Sequence, residues 1–200
     1  MNRFEIDAGG WCSGVERLPS PNFDKRADGM PIELLVIHNI SLPPGQFGGA
    51  YIAELFTNRI DCDAHPYFDR LRGLKVSAHF LIRRDGRVIQ FVSASDRAWH
   101  AGLSSFCGRE RCNDFSIGIE LEGTDFEPFE DVQYDTLAGL TQALRARYPL
   151  TDVAGHEHIA PGRKTDPGPF FDWVRYRKSL IQNEACAESR LSQLRFPVAG

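Results

Sequence analysis

Short apolar runs dominate the first half of the chain and predict strands. β-Branched and other apolar residues are concentrated in 33–38, 78–82 and 88–92, and turn-forming residues fill 84–87. A run of this length between turn formers is typical of a buried strand, and a tight turn between two such runs indicates an antiparallel hairpin. We therefore predict three strands, of which the second and third pair with each other.

The segment 116–121 alternates between apolar residues and small or polar residues, which predicts a fourth strand with two different faces. Its apolar face consists of Ile117, Ile119 and Leu121. Its other face consists of Ser116, Gly118 and Glu120. The carboxylate of Glu120 is therefore expected to rise from a floor of small residues.

Apolar residues at helical spacing predict helices at 52–58, 132–148 and 170–181. The middle segment begins with acids and ends with arginines, which favours the helix dipole, and Pro149 stops it. A brief strand is predicted at 153–154. Because strands and helices are interspersed along the chain, we predict a mixed α/β fold with a central mixed β-sheet flanked by helices.

Length and composition favour a single domain over 1–200. The chain has 200 residues, of which 42% are hydrophobic and 25% are charged, and this is enough for one compact core. Turn formers and polar residues near the two ends predict peripheral arms at 1–17 and 181–200 around a core of about 18–180.

The charge balance and the lack of long apolar stretches exclude several classes of function. Lys and Arg number 23 against 27 Asp and Glu, so no basic excess favours nucleic acid as a partner. No stretch of about 18 apolar residues predicts a membrane span, and the start of the chain lacks the apolar region of a secretory signal. We therefore expect a monomeric protein in the cytoplasm.

Five scattered cysteines suit free thiols in a reducing compartment better than a disulfide framework. They are Cys12, Cys62, Cys107, Cys112 and Cys186. The spacing of Cys107 and Cys112 would allow a redox or metal site, but no nearby residues complete a set of four ligands.

Two of the six histidines and one aspartate suggest a metal site. His38 ends a predicted strand, His156 follows another, and Asp166 lies ten residues further on in a Pro- and Gly-rich loop. Two neutral imidazoles and one carboxylate are ligands that Zn²⁺ accepts, and three protein ligands leave a fourth place for water. His65 and His158 fit loop or solvent-exposed roles as well as functional ones.

Two further residues complete a candidate hydrolytic site. Glu120 could exchange a proton with water and with a leaving nitrogen, and Lys164 could stabilise an oxyanion by its charge. The alternatives are a surface or salt-bridged glutamate and an exposed loop lysine.

Several motifs, in this order, resemble those of the cytoplasmic 1,6-anhydro-N-acetylmuramyl-L-alanine amidases of Gram-negative bacteria. These enzymes belong to the amidase_2 and peptidoglycan-recognition-protein superfamily, and the resemblance covers about residues 18–180. The motifs are SPNFD at 20–24, LVIHNISLPPG at 35–45, VSAHF at 76–80, RAWHAG at 97–102, CNDFSIGIELEGT at 112–124 and GRKTDPGP at 162–169.

The resemblance implies roles for individual residues. The zinc ligands would be His38, His156 and Asp166, and the catalytic partners would be Glu120 and Lys164. The substrate contacts would be Asn39, Lys75, Ala98 and Arg111, and cleft or ligand-supporting residues would be His79, Trp99 and His100. Family members often have arginine where this chain has Lys75, and an ammonium group cannot reproduce a bidentate guanidinium clamp.

The reaction implied by the resemblance is hydrolysis of the amide between the lactyl group of 1,6-anhydro-N-acetylmuramic acid and L-alanine during peptidoglycan recycling. One Zn²⁺ per chain is the implied cofactor and an anhydromuropeptide the implied partner. Removal of such muropeptides would lower the signal that induces chromosomal β-lactamase. The alternatives are a peptidoglycan-recognition module that does not cut, a broad-specificity envelope amidase, and a metal-free domain in which these motifs are structural.

Overall fold

A computed structural model describes residues 4–182 and 194–197. Its strands are β1 (Glu16–Arg17), β2 (Phe23–Asp24), β3 (Leu34–Ile40), β4 (Phe80–Ile82), β5 (Val88–Gln90), β6 (Arg97–Ala98), β7 (Ser105–Phe106), β8 (Arg109–Glu110), β9 (Ser116–Glu122) and β10 (Asp152–Gly155). Its α-helices are α1 (Tyr51–Phe56), α2 (Asp131–Arg147), α3 (His156–Ile159) and α4 (Trp173–Gln182). Two 3₁₀ helices span Pro66–Leu71 and Cys112–Asp114.

The central sheet is mixed, as the sequence pattern predicts. Its strand order is β1-β5-β4-β9-β3-β10, with β4 and β5 antiparallel and β9, β3 and β10 parallel. The antiparallel pair is the predicted hairpin. The three parallel strands are joined by long connections that contain helices, as parallel pairing requires.

The two faces of the sheet are covered by different elements. Apolar residues of β3 and β9, including Leu35, Ile37 and Ile119, pack with buried residues of α2 and α4. On the other face, a second cluster joins α1 and the first 3₁₀ helix to β4 and β5, with Phe68 and Leu81 among its buried members. The polar end of β9 therefore lies on the face that α2 leaves open.

The helix boundaries follow local capping. The side chain of Glu130 and that of Gln133 form a reciprocal capping box at the start of α2. The carboxylate of Asp172 accepts a hydrogen bond from the backbone N–H of Arg175 at 2.8 Å. This contact explains why the last helix begins at Trp173 rather than at residue 170.

The N-terminal segment differs from the peripheral arm expected at 1–17. Phe4, Ile6 and Cys12 are buried in the main core cluster, and β1 pairs in parallel with β5 at the edge of the sheet. The many turn-forming residues of this segment predicted an arm, but its few apolar side chains are buried in the core. The extent of the predicted single domain, 1–200, stays a prediction.

Only 181–182 and 194–197 of the predicted C-terminal arm 181–200 fall within the described residues. Leu194 is buried in the main core, and the guanidinium of Arg195 donates two hydrogen bonds of 2.7 Å to Asp152. Cys186 lies outside the described residues. None of the helices in the described residues combines the length and the apolar character that a membrane span requires.

Candidate metal centre and cleft

The carboxyl ends of three neighbouring parallel strands bring the candidate site together. His38 in β3 is paired in register with Glu120 in β9, and His156 directly follows Gly155, the last residue of β10. Register partners in parallel strands point to the same face of the sheet. The sheet therefore places two imidazoles and one carboxylate at the carboxyl ends of its parallel strands, which is where ligands bind in open α/β sheets.

Asp166 completes a cluster of three donor atoms. The Nδ1 atoms of His38 and His156 lie 3.0 Å apart, and Oδ2 of Asp166 lies 2.9 Å from the first and 3.0 Å from the second. Donors bound to one tetrahedral zinc ion are roughly 3.3 Å apart. The observed spacing is within a few tenths of an ångström of that value.

Hydrogen bonds on the far side of each imidazole assign its tautomer. Nε2 of His156 faces the carbonyl oxygen of Ala101 at 3.2 Å, so this nitrogen carries the proton. The hydroxyl of Ser116 donates to Cys112 O and accepts from Nε2 of His100, which leaves Nδ1 of His100 as an acceptor for Nε2–H of His38 at 3.0 Å.

These tautomers leave both Nδ1 lone pairs facing each other and the Asp166 carboxylate. Three acceptors within 3.0 Å of one another have no proton to share unless an imidazole is charged. Burial lowers the pKa of His38 to about 4, although the hydrogen bond with Asp166 opposes this change. A neutral, acceptor-only set with N and O donors fits a divalent cation such as Zn²⁺.

The carboxylate of Asp166 is held in its charged form. Burial alone would raise the pKa of Asp166, but a protonated imidazole of His156 or His38 would donate to this carboxylate through Nδ1, and these contacts outweigh burial and bring that pKa below its usual range. An ionised carboxylate is the form that binds a metal ion.

Glu120 is in the opposite electrostatic situation. Its side chain is buried, and its Oε2 atom has no hydrogen-bond partner among the described residues. Burial raises the pKa of Glu120 well above the usual value, the charge of Asp166 raises it further, and Lys164 opposes both. A glutamate of this kind is suited to accepting and releasing a proton near neutral pH.

Lys164 lies in the loop between His156 and Asp166 and lines the same cleft. Its neighbour Arg163 donates hydrogen bonds to the carbonyl oxygens of Ala101 and Leu103, which fixes this loop to the segment beside the histidines. Lys164 is exposed.

Asn39 is held by contacts that determine which of its atoms can meet a ligand. Its Nδ2 group donates to Asp125 Oδ1 at 2.6 Å and to the carbonyl oxygen of Pro167 at 3.0 Å. Asp125 also accepts a hydrogen bond of 2.5 Å from the hydroxyl of Thr165. Both amide protons of Asn39 are therefore used, and its amide oxygen remains as an acceptor.

The metal cluster opens into a cleft with a volume of about 950 Å³. Lys75, Trp99, His100 and Asn39 line this cleft together with Glu120, Lys164 and the three clustered ligands. Such a volume is typical of a site for a small molecule or short peptide.

Three predicted site residues lie outside the lining of the cleft. Ala98 is fully buried and belongs to β6, whereas Arg111 is exposed and pairs with Asp114 at 3.1 Å. His79 is buried behind His100, where Nδ1 accepts from the N–H of Gly118 at 3.0 Å. Its ring centroid lies 5.6 Å from that of His100.

His65 and His158, which lie outside the cluster, have local structural contacts, and the cysteines of the described residues are free thiols. Nδ1 of His65 accepts from the N–H of Tyr67 at 3.1 Å, and Nδ1 of His158 accepts from the N–H of Gly155 at 2.9 Å. Cys107 is exposed and Cys112 is buried, and both are free thiols.

Sequence reasoning missed Asp125 and Asn113. Asp125 braces Asn39, and Asn113 lines the cleft and accepts hydrogen bonds from the backbone N–H groups of His100 and Ala101. Both residues lie within or next to the motif at 112–124, so their proximity to Glu120 was the available signal. Gly118 is also needed, because a Cβ there would lie 2.5 Å from the ring of His100.

Comparison with protein families identifies a match over residues 28–169 to Amidase_2, described as N-acetylmuramoyl-L-alanine amidase. A similar relative is the 1,6-anhydro-N-acetylmuramyl-L-alanine amidase AmpD of Citrobacter freundii. The two sequences are 59% identical over 170 residues, which cover 84% of this chain and 91% of the relative.

Solved structures agree with the sequence comparisons. A crystal structure of a selenomethionine derivative of AmpD superposes with a TM-score of 0.85 at 58% identity, covering 88% of this chain and 98% of that one. The amidase AmiD of Escherichia coli, in complex with the substrate anhydro-N-acetylmuramic acid-L-Ala-D-γ-Glu-L-Lys, superposes with a TM-score of 0.55. Its identity is 31%, covering 78% of this chain and 60% of that one.

Proposed function

The chain belongs to the Amidase_2 family of N-acetylmuramoyl-L-alanine amidases, and from this premise we propose that it hydrolyses the lactyl-L-alanine amide of 1,6-anhydro-N-acetylmuramyl peptides. The observation that carries the proposal is the acceptor-only cluster of His38, His156 and Asp166 beside buried Glu120 in an open cleft. The reaction would take place in the cytoplasm during peptidoglycan recycling.

His38, His156 and Asp166 would hold one zinc ion through Nδ1, Nδ1 and Oδ2, the atoms that already face one another. Zinc bound there would lower the pKa of a water molecule to about 7 and polarise the substrate carbonyl. The chain itself supplies the orientation, because His100 and Ala101 fix the tautomers of the two imidazoles.

Glu120 would carry the proton in this reaction. Its carboxylate accepts a proton from the attacking water and returns it to the nitrogen of the departing L-alanine. Burial and the nearby charge of Asp166 raise the pKa of Glu120. At neutral pH its protonated and ionised forms are therefore closer in free energy than those of an exposed glutamate. The unpartnered Oε2 atom is free to meet that proton.

Lys164 would stabilise the negative charge that develops on the carbonyl oxygen during attack. Its ammonium group needs no partner within the protein for this role, and its loop is held in place by Arg163. Lys164 and Glu120 therefore have different roles: Glu120 transfers a proton, and Lys164 stabilises the oxyanion.

The cleft offers an acceptor and a cation for the stem peptide. The amide oxygen of Asn39 would accept an N–H of the substrate, and Lys75 would meet a peptide carboxylate. Contacts to Ala98 and Arg111 remain part of the proposal, and Arg111 would have to leave Asp114 to reach a ligand in the cleft.

Incubation with a purified anhydromuropeptide, with and without a zinc chelator, tests the proposal by mass spectrometry of the products. We expect free stem peptide and anhydro-N-acetylmuramic acid, loss of this activity with chelator, and its return with added zinc. Asp166→Ala should abolish cleavage while the circular dichroism spectrum stays that of the parent protein.

Two added measurements, binding of the anhydromuropeptide and cleavage of intact murein, separate the alternatives. Binding without cleavage would identify a recognition module. Equal cleavage of intact murein would identify a broad-specificity amidase, and cleavage that survives chelation would contradict the metal assignment.

A further inference from the structure

A two-residue segment contacts both candidate histidine ligands on the side away from the metal cluster. Nδ1 of His100 lies 3.0 Å from Nε2 of His38, and the carbonyl oxygen of Ala101 lies 3.2 Å from Nε2 of His156. The same carbonyl accepts a hydrogen bond of 3.1 Å from Arg163, next to Lys164. The path of this segment therefore determines how both imidazoles are oriented.

One side-chain atom accepts hydrogen bonds from both backbone N–H groups of this segment. The amide oxygen of Asn113 accepts a hydrogen bond of 3.2 Å from the N–H of His100 and one of 2.8 Å from the N–H of Ala101. Asn113 is buried, so water does not readily replace these bonds. Among the described residues, no other side chain accepts a hydrogen bond from these two N–H groups.

Asn113 is itself fixed from behind. It lies in the 3₁₀ helix Cys112–Asp114, and the partly buried side chain of Arg26 donates hydrogen bonds of 2.8 Å to the carbonyl oxygens of Asn113 and Asp114. Arg26 also donates to the carbonyl oxygen of Ser116 at the start of β9. The brace is thus connected to the strand that carries Glu120.

We propose that Asn113 is a positioning residue for metal binding, which acts by fixing His100 and Ala101 against the two histidine ligands. The inference rests on the zinc site of the proposed function. Loss of the amide oxygen would free the segment, and the two imidazoles would lose the partners that set their tautomer and rotation. The residue needs no contact with metal or substrate for this role.

Three variants test the role through zinc affinity, measured by competition with a chromophoric chelator. Asn113→Leu keeps the approximate volume and removes the acceptor, and we expect its zinc Kd to rise by about 10- to 100-fold. Asn113→Asp keeps an acceptor for both N–H groups, and its Kd should stay within about threefold of the parent value.

Thr141→Val is the matched control for a lost buried hydrogen bond. Thr141 is fully buried and its hydroxyl lies 2.6 Å from that of Tyr176, on the opposite face of the sheet. We expect this variant to lower the unfolding temperature of the metal-free protein and to leave the zinc Kd unchanged. Cobalt-loaded samples provide a second readout, because the visible spectrum reports ligand geometry.

The outcomes are distinguishable. A parent protein that does not bind zinc overturns the proposed metal site itself. A parent that binds zinc, with Asn113→Leu binding equally tightly, overturns only the positioning role. The role is also overturned if Asn113→Asp is as weak as Asn113→Leu, or if Thr141→Val weakens zinc binding as much.

Discussion

Glu120 combines a functional position with an unfavourable environment. Its carboxyl group is buried, one oxygen lacks a hydrogen-bond partner among the described residues, and burial raises its pKa well above the usual value. A folded-state pKa that is raised means that the ionised form costs stability, and this cost grows as pH rises from about 4.3 through the folded pKa.

We therefore predict that Glu120→Gln makes the metal-free protein more stable at pH 7 and lowers kcat by about 10²- to 10⁴-fold. Thermal unfolding at pH 4 and pH 7 checks the first effect, because the gain should shrink at the lower pH. Zinc affinity should be retained. Unchanged turnover would show that Glu120 does not carry the proton.

Asp125 is predicted to affect substrate binding indirectly, by holding the side chain of Asn39. It holds Asn39 and Thr165, which directly adjoin His38 and Asp166 in the sequence. Without this carboxylate, the amide of Asn39 is free to rotate and present a donor instead of an acceptor to the substrate.

For Asp125→Ala we predict a KM for anhydromuropeptide that is about tenfold higher, with a smaller change in kcat. Asp125→Asn is the control, since it removes the same charge and keeps an acceptor for Asn39. If both variants raise KM equally, charge rather than orientation is responsible. A KM within twofold of the parent for the alanine variant would contradict the role.

At the residue scale, the sequence indicates candidate ligands and proton carriers more readily than the residues that hold them in position. His38, Glu120 and His156 could be proposed because they end apolar runs or follow them. Asp125 contacts Asn39 across 86 positions, and Asn113 contacts His100 across 13. Nothing in a local pattern specifies such partners, because they depend on how the strands and loops meet.

At the scale of elements, a buried ion pair ties the loop after β3 to the sheet. Glu122, the last residue of β9, accepts hydrogen bonds of 2.7 Å from the N–H of Gly48 and 2.9 Å from Arg83. Arg83 donates a further bond of 2.8 Å to Gly49 O. Ser41, Leu42 and Gly45 of this loop form one wall of the cleft.

We predict that Glu122→Gln lowers the free energy of unfolding by about 3 kcal/mol, because breaking a buried pair leaves an uncompensated guanidinium. Urea denaturation measures this change. Asp69→Asn, which alters an exposed pair with Arg72, is the control and should change stability little. A small effect of Glu122→Gln would show that water reaches Arg83.

The long apolar segments predicted their elements well, with α2 and the β4–β5 hairpin within a residue or two of expectation. The two-residue strands β1, β2 and β6 and both 3₁₀ helices were not predicted. The strands pair with partners distant in the sequence, such as Glu16 with Ile89, so local pattern carries little information about them. The 3₁₀ helices bond locally, for example from the N–H of Phe68 to the carbonyl oxygen of His65, but they are too short to show a helical period.

At the scale of the molecule, three neighbouring histidines, His38, His79 and His100, affect the acid stability of the metal-free protein. Burial lowers the pKa of His38 to about 4, that of His79 to about 3, and that of His100 well below its usual value. Groups with lowered folded-state pKa values stabilise the fold above about pH 6.5, and this stabilisation is lost as pH falls toward the folded values.

We predict that the metal-free protein loses stability between about pH 6.5 and pH 4, with a net uptake of protons on unfolding near pH 5. The imidazoles of His38, His79 and His100 take up protons there, and Glu120 opposes them by releasing its own. The slope of unfolding free energy against pH measures the net uptake. In Glu120→Gln the slope should be steeper, and a flat profile would contradict the assignment of neutral buried imidazoles.

The register of three parallel strands has a consequence for how this protein is made. His38 and Asp166 are 128 positions apart, so the emerging chain cannot complete the donor set until Asp166 has left the ribosome. A slip of one residue between β3 and β9 would turn His38 toward the apolar face under α2. Metal binding would therefore come late in biosynthesis. Only chains whose parallel strands have the correct register would bind the metal. The metal content of a preparation would then measure the fraction of correctly folded chains.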